Sequence, residues 1–197
     1  HKFSNQSTVS RLTADNLIAI PTTNRLFSRL MDLPLFFISD IHLMLDQRAN
    51  GKVKHDNLFQ FLDHVADKKG TLFIVGDLFD FWFEYRHLIP KMYFLFLSKL
   101  LEIRQKGVEI HYVLGNHDYW VMDFFTDTLD ISIYHDDTAV EINSKKFHIT
   151  HGDGLLSWDR AYRILKKVIR NPLFIKCFRC IHPDLGYRFA NWISKRG

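Results

Sequence analysis

"TLFIVGD", residues 71–77, decides the fold. Thr71 to Val75 are apolar, aromatic or β-branched with no alternation, as in a strand buried on both faces, and Gly76 and Asp77 close it. Two further runs have the same shape: "LPLFFISD" (33–40) ends at Asp40, and "EIHYVLGNHD" (109–118) ends in Gly, Asn, His and Asp. Between them lie helical patterns. In "HDNLFQFLDHVADKKG" (55–70), Leu58, Phe61, Leu62 and Val65 share one face, Asp56 or Asn57 is placed to cap the start, and Gly70 to end it. "IPKMYFLFLSKLLEIRQKG" (89–107) is a second helix closed by glycine. Strand, helix, strand, helix, strand predicts a layered α/β fold with parallel strands. "TAVEIN" and "KKFHITHGD" then read as two strands about the turn-like "NSK", the start of a second sheet built of hairpins.

The remainder divides around this core. Residues 1–33 have neither strong strand nor strong helix character and read as an extension; 34–154 form the core; 155–197 form a basic, aromatic helical cap. In the cap, "SWDRAYRILKKVIRN" (157–171) is an amphipathic basic helix halted by Pro172, and further helical sequence follows. From Leu155 onward ten basic residues face two acids, a charge of +8, which leaves −4 for the rest of a chain whose net charge is +4. Such a block suits an anionic partner: phosphate, nucleic acid or a membrane surface.

The 197 residues are enough for one domain with a sizeable core, and 47% hydrophobic content excludes a disordered chain. Two cysteines, Cys177 and Cys180, are too few for a disulfide scaffold and point to a reducing compartment. Their CxxC spacing is open to a redox pair or half a zinc site with His182, but two ordinary helical cysteines are the default. The richest apolar run, "MYFLFLSKLL", is too short to span a bilayer and is interrupted by Lys99; the N-terminal residues lack the apolar core of a signal peptide.

Asp40 and His42, Asp77, Asn116 with His117 and Asp118, and His151 with Asp153 all stand where strands end. Singly, each is ordinary turn chemistry. Together they occupy the carboxyl ends of neighbouring strands, where open α/β sheets bind ligands. Carboxylate, imidazole and carboxamide are ligands for borderline divalent metals, and no thiolate is among them. Asp40 and His42, two apart, can point to one side of a strand end. A carboxylate such as Asp77 can bridge two cations, and two metals about 3.5–4 Å apart can clamp a phosphoryl group and ionise a water near neutral pH. His55, His64, His87, His111, His135 and His148 have no motif around them and read as surface or core histidines.

D-x-H (Asp40, His42), GD-x-x-D (Gly76, Asp77, Asp80), GNHD (115–118) and HGD (151–153) together resemble the calcineurin-like metallophosphoesterases across residues 35–154. That resemblance implies two packed mixed sheets flanked by helices, with a dinuclear metal centre at the strand ends. "GDLFDFWFEY", "GNHDYWVMDFF", "HGDGL" and "HPDLGYRFANWISK" are similar to the UDP-2,3-diacylglucosamine hydrolases of the lipid A pathway, some of which carry Arg in place of His117. The resemblance implies hydrolysis of the pyrophosphate to UMP and a lipid sugar phosphate, two divalent ions with manganese expected, and peripheral attachment to the cytoplasmic face of a Gram-negative inner membrane. Carried over, Asp40 and His42 hold one metal, Asp77 bridges both, and Asn116 and His151 hold the second. His117 stabilises charge on the phosphoryl group or leaving oxygen, and Asp118 orients His117. Asp159, Tyr162, Asn191, Ser194 and Lys195 become contacts to sugar or phosphates, and the cap helices cover acyl chains at an anionic membrane. The aromatic run Phe79, Phe81, Trp82, Phe83 and Tyr85 is either core or the border of a lipid entry. A nucleic-acid partner is the rival for the basic patch, another phosphodiester the rival substrate, and a non-catalytic scaffold the rival class; no obligate protein partner is evident. The family also uses a G-H-x-H pair near the C-terminus, which these residues do not contain, and strands that would close the second sheet are expected beyond Gly197.

Overall fold

A computed structural model describes residues 27–28, 33–43, 51–142, 145–153 and 160–194. In chain order the strands are β1 (Phe27–Ser28), β2 (Leu35–Ile38), β3 (Thr71–Val75), β4 (Glu109–Val113), β5 (Ser132–Tyr134), β6 (Thr138–Ile142) and β7 (Lys145–Ile149). The helices are α1 (Gly51–Lys68), α2 (Phe94–Gln105), α3 (Arg160–Ile169), α4 (Pro172–Arg179) and α5 (Pro183–Ser194). One sheet has the order β2-β3-β4-β5, every pair parallel; the other has β1 parallel to β6 and β6 antiparallel to β7. The α/β class and the two-sheet arrangement expected from the sequence are therefore present.

Period-2 alternation on the central strands sorts the core into two layers. Leu72, Ile74, Ile110 and Tyr112 face the helices and pack with Leu58, Leu62, Leu97 and Leu100. Phe73 and Val113 face the other way and pack on Val140 and Ile149 of the second sheet. Burial of these side chains on both faces is why "TLFIV" carries no polar alternation. β2, an edge strand, is less enclosed than its sequence suggests: Phe37 is half exposed and stacks on Phe73 at 5.1 Å.

Four local expectations change. Phe27 and Ser28, assigned to the extension, form β1 and pair with Val140 and Glu141. Helix α1 begins at Gly51, so neither Asp56 nor Asn57 caps it; both lie within it. It ends with Lys69 in the left-handed region (φ 51°), while Gly70 is needed for room, since a Cβ there would sit 2.2 Å from the Pro34 carbonyl. The sheet also has a fourth strand, β5, preceded by a single π-helical turn at Phe124–Thr128.

The cap follows its sequence signals. Asn171 caps α4, its side chain accepting from the Leu173 and Phe174 amides at 2.8 and 3.4 Å, with Pro172 at the first helical position. Phe178 of α4 packs into the aromatic run with Phe83, Tyr85 and Trp120, and the Tyr187 hydroxyl of α5 donates to the Phe83 carbonyl at 2.8 Å. Phe79 and Trp82 belong to the main core and Phe83 and Tyr85 to this seam, which answers the core-or-border question for those four in favour of core. Cys177 and Cys180 are free and exposed. Among the described residues no helix is long and apolar enough to cross a membrane.

Candidate metal centre

Beyond their last ladder residues the strands bend rather than stop. Asp40 (φ 52°), His42 (φ 46°) and Asp77 (φ 50°) all occupy the left-handed region, which costs a non-glycine residue about 1–2 kcal/mol. Backbone bonds hold these bends: Asp40 N–H donates to Gly76 O at 3.2 Å, His42 N–H to Asp77 O at 3.0 Å, and Leu43 N–H to Leu78 O at 2.9 Å. Side chains from β2 and β3 are thereby aimed at one point.

Asp77 is that point. Its carboxylate is buried, and Oδ1 accepts from the His117 amide at 3.0 Å. Three imidazole Nε2 atoms surround Oδ2: His151 at 3.3 Å, His42 at 3.8 Å and His117 at 4.0 Å. Two of these rings are fixed from behind. His117 Nδ1–H donates to the Asp80 carbonyl at 2.7 Å and His151 Nδ1–H to the Val75 carbonyl at 3.2 Å. Pinning Nδ1 on a backbone carbonyl selects the tautomer that turns Nε2 toward the site, the usual support of a metal-ligating histidine.

The glycines of both motifs make room for this arrangement. A Cβ on Gly76 (φ 71°) would lie 2.3 Å from His151 Nδ1, and one on Gly115 would lie 2.2 Å from Asp77 Oδ1 and 2.5 Å from the Asp77 amide nitrogen. Each backbone passes where a neighbouring strand's functional side chain needs the space.

The electrostatics couple the same groups. Burial pushes the Asp77 carboxyl up, but His151 and His117 outweigh it and hold it below the usual carboxylate range. Its hydrogen bond to Asp77 raises His151 to about 9 against the opposing effect of burial. In the metal-free protein at neutral pH His151 is thus an imidazolium paired with a carboxylate.

Within each of two sets the donor atoms lie within 4.8 Å of one another: His42 with Asp80 and His117, and Asp40 with Asp77 and His151, so Asp40 falls with His151 rather than in the expected pair with His42. Oxygen and nitrogen donors without thiolate, with Nε2 turned inward, fit a pair of divalent cations of the Mn/Fe/Zn kind. Asn116 is half-buried on the loop between Gly115 and His117. Asp80, quoted in the GD-x-x-D spacing but given no role by the sequence reading, enters twice: its carboxylate belongs to the His42 set and its carbonyl anchors His117.

Asp118 is placed differently from expectation. The carboxylate assigned to orient His117 is fully buried and accepts instead from the Leu78 amide and the Gly115 amide, both at 2.8 Å, and from the Tyr112 hydroxyl. It ties the loop after β3 to the loop after β4, while Asp80 orients His117. Glu84, which stands in none of the four motifs, is buried and accepts from the Met122, Asp123 and Phe124 amides at 2.8, 3.1 and 2.9 Å. It fixes the segment following GNHDYW. Asp159 and Lys195 lie outside the described residues; Tyr162 falls on α3, and Asn191 and Ser194 on α5.

Residues 33–176 match the calcineurin-like phosphoesterase family. The chain belongs to the calcineurin-like phosphoesterases. Relatives named UDP-2,3-diacylglucosamine hydrolase include a Porphyromonas gingivalis protein, 34% identical over 81% of this chain and 62% of its own length. Others come from Hamiltonella defensa (29% identical, 81% and 59%) and Yersinia pseudotuberculosis (28%, 81% and 65%). The chain thus spans about three-fifths of the length of these relatives. D-x-H, GD-x-x-D, GNHD and HGD converge here from four separate strand ends.

Proposed function

We propose that this chain is a divalent-metal-dependent hydrolase of the pyrophosphate of UDP-2,3-diacylglucosamine, giving UMP and diacylglucosamine 1-phosphate. The observation that carries the reading is the convergence of three imidazole Nε2 atoms on Asp77 Oδ2. The named relatives support the choice of substrate. Asp40, His42, Asp77, Asn116 and His151 would hold two ions, with Asp77 shared between them, Asp80 beside His42, and manganese the expected metal. Such ions supply Lewis-acid polarisation of phosphoryl oxygens and a water acidic enough to ionise near neutral pH.

The protein's own groups do the rest. Asp77 collects the cationic charge at one buried point. His117, with Nδ1–H committed to the Asp80 carbonyl, presents Nε2 to the site, and a proton carried on that nitrogen would be the donor that stabilises charge on the phosphoryl group or the leaving oxygen. Asp118 keeps the two loops in register. Asp159, Tyr162, Asn191, Ser194 and Lys195 are the proposed contacts to sugar and phosphates. Exposed Ile164, Leu165 and Val168 on α3, in a segment of charge +8, support work at an anionic membrane surface, here the cytoplasmic face of a Gram-negative inner membrane.

The test is Mn²⁺-dependent UMP release from UDP-2,3-diacylglucosamine, abolished by EDTA. Turnover of bis(p-nitrophenyl) phosphate without UMP release would overturn the substrate assignment and leave a phosphoesterase of another specificity.

A further inference from the structure

On one face of α3, Arg163, Lys166, Lys167 and Arg170 line a cavity of about 450 Å³. Their spacing of three and four residues puts all four cations on one side of the helix. Cations gathered on one wall repel one another, so a bare solvated face would spread them. Here two are instead drawn inward. Lys166 Nζ donates to the Asp153 carbonyl at 2.9 Å and pairs with its carboxylate at 2.7 Å, and Arg170 lies 3.6 Å from the same carboxylate. The Arg170 guanidinium also sits 4.1 Å over the Tyr119 ring. Asp153 is two residues beyond His151 and Tyr119 two beyond His117, so the basic wall is fastened to both loops that carry the site's histidines. The Trp120 indole N–H donates to the Ile169 carbonyl at 2.8 Å and adds a third attachment. One carboxylate against four cations leaves this wall with a net positive charge above the side-chain stems that line the cavity, and two guanidinium forks match phosphoryl oxygens.

We infer that this cavity is a phosphoryl-anion subsite that takes the second phosphoryl group of a diphosphate substrate. A diester of pyrophosphate carries one charge on each phosphorus. With the phosphorus under attack held beside Asp77 and its histidines, the α3 wall would neutralise the neighbouring phosphoryl group, which would select diphosphates over simple phosphodiesters. The choice of a diphosphate rests on the phosphohydrolase reading above; the occupancy of the cavity by a phosphoryl anion does not.

The probe is inorganic pyrophosphate, titrated by calorimetry into the full chain after dialysis against EDTA, so that neither bound metal nor turnover contributes. Arg163→Gln with Lys167→Gln removes the two cations not drawn to Asp153. Lys145→Gln with Lys146→Gln makes the same charge change on exposed β7. The first pair is expected to weaken pyrophosphate affinity about tenfold, the size of one charge-assisted bond lost, and the second to leave it within about twofold, the effect of distant screened charge. Thermal melts verify that both variants are folded. Equal weakening by the two pairs, or no measurable binding by the unaltered chain, would overturn the subsite. So would reduced binding of Arg163→Gln/Lys167→Gln to phosphatidylglycerol vesicles with unchanged pyrophosphate affinity, which would make the wall a lipid headgroup contact. Failure to release UMP would sink the substrate assignment and leave the binding result standing.

Discussion

Gly115→Ala tests whether strand ends must approach as closely as the site geometry requires. The new Cβ would lie 2.2 Å from Asp77 Oδ1, 2.5 Å from the Asp77 amide nitrogen and 3.0 Å from its carboxyl carbon, whereas ordinary contact begins near 3.4 Å. The shortfall is about 1 Å, and one colliding atom is backbone, so rotating the carboxylate does not clear it. Moving that backbone by about 1 Å would stretch His42 N–H to Asp77 O, now 3.0 Å, and Gly76 N–H to Val113 O, now 2.8 Å, beyond bonding distance. Two bonds at about 1 kcal/mol each, added to an overpacking cost of about 1–3 kcal/mol, give roughly 3–5 kcal/mol. For a domain of this size that is a fall in Tm of about 6–20 °C. Asp77 would also leave the point on which the three histidines converge. Circular-dichroism melts in EDTA measure the first effect, and Mn²⁺ titration calorimetry the second. Gly107→Ala is the control: it also alters a glycine, at φ 95°, but nothing lies within 4 Å of its Cβ, so only the conformational cost of about 1 kcal/mol applies and metal binding is untouched. A Gly115→Ala protein with the parent's Tm and metal affinity would refute the close-approach argument.

Three further outcomes follow from the site's charges. In Asp118→Asn the amide NH₂ must face one of the three donors now satisfied by the carboxylate, costing about 1–3 kcal/mol in urea unfolding; a residue that merely oriented His117 would leave unfolding unmoved and alter only the pH–rate profile. His151 is raised to about 9 by Asp77, so the stabilisation from that pair in the metal-free protein is complete below about 6.5 and is lost as pH rises through about 9. A ligand must lose that proton, so Mn²⁺ binding at pH 7 should release one proton from His151 and tighten about tenfold per pH unit up to about 9. Calorimetry in buffers of different ionisation enthalpy counts the proton, and pH-independent affinity would contradict the pairing.

The readable part of the sequence was what short-range chemistry dictates. "TLFIV" and "EIHYV" announce strands because burial on both faces leaves no polar alternation, and the polar cluster after each announces its carboxyl end. β1 escaped because two residues carry no periodicity; only pairing with Val140 and Glu141 makes Phe27–Ser28 a strand. β5, three residues long, escaped for the same reason. Helix α1 outran its expected caps because Asp56 and Asn57 are tolerated inside a helix that side-chain burial holds in place. At the site, residue identities were legible and partnerships were not. Asp118 is next to His117 in sequence, yet its carboxylate is spent on Leu78, forty residues away. The group that orients His117 is a backbone carbonyl, which no side-chain motif can encode.

The same geometry explains why the motifs mix glycine with strained polar residues. Straight strand ends would keep Asp40 and His42 on one face but about 7 Å apart along it, so both could not meet Asp77 and the histidines of other strands at one point. A left-handed residue turns the chain out of the pleat, at a cost that aspartate tolerates better than most. Three such bends in a small region are held because each is bonded to the next: Asp40 to Gly76, His42 to Asp77, Leu43 to Leu78 and Asp80 back to Leu43. Bends that pack this tightly leave no volume for a Cβ at Gly76 or Gly115. The glycines, the positive φ angles and the converging Nε2 atoms are therefore consequences of one requirement, that three strand ends deliver their polar groups to a single buried carboxylate at the end of a fourth.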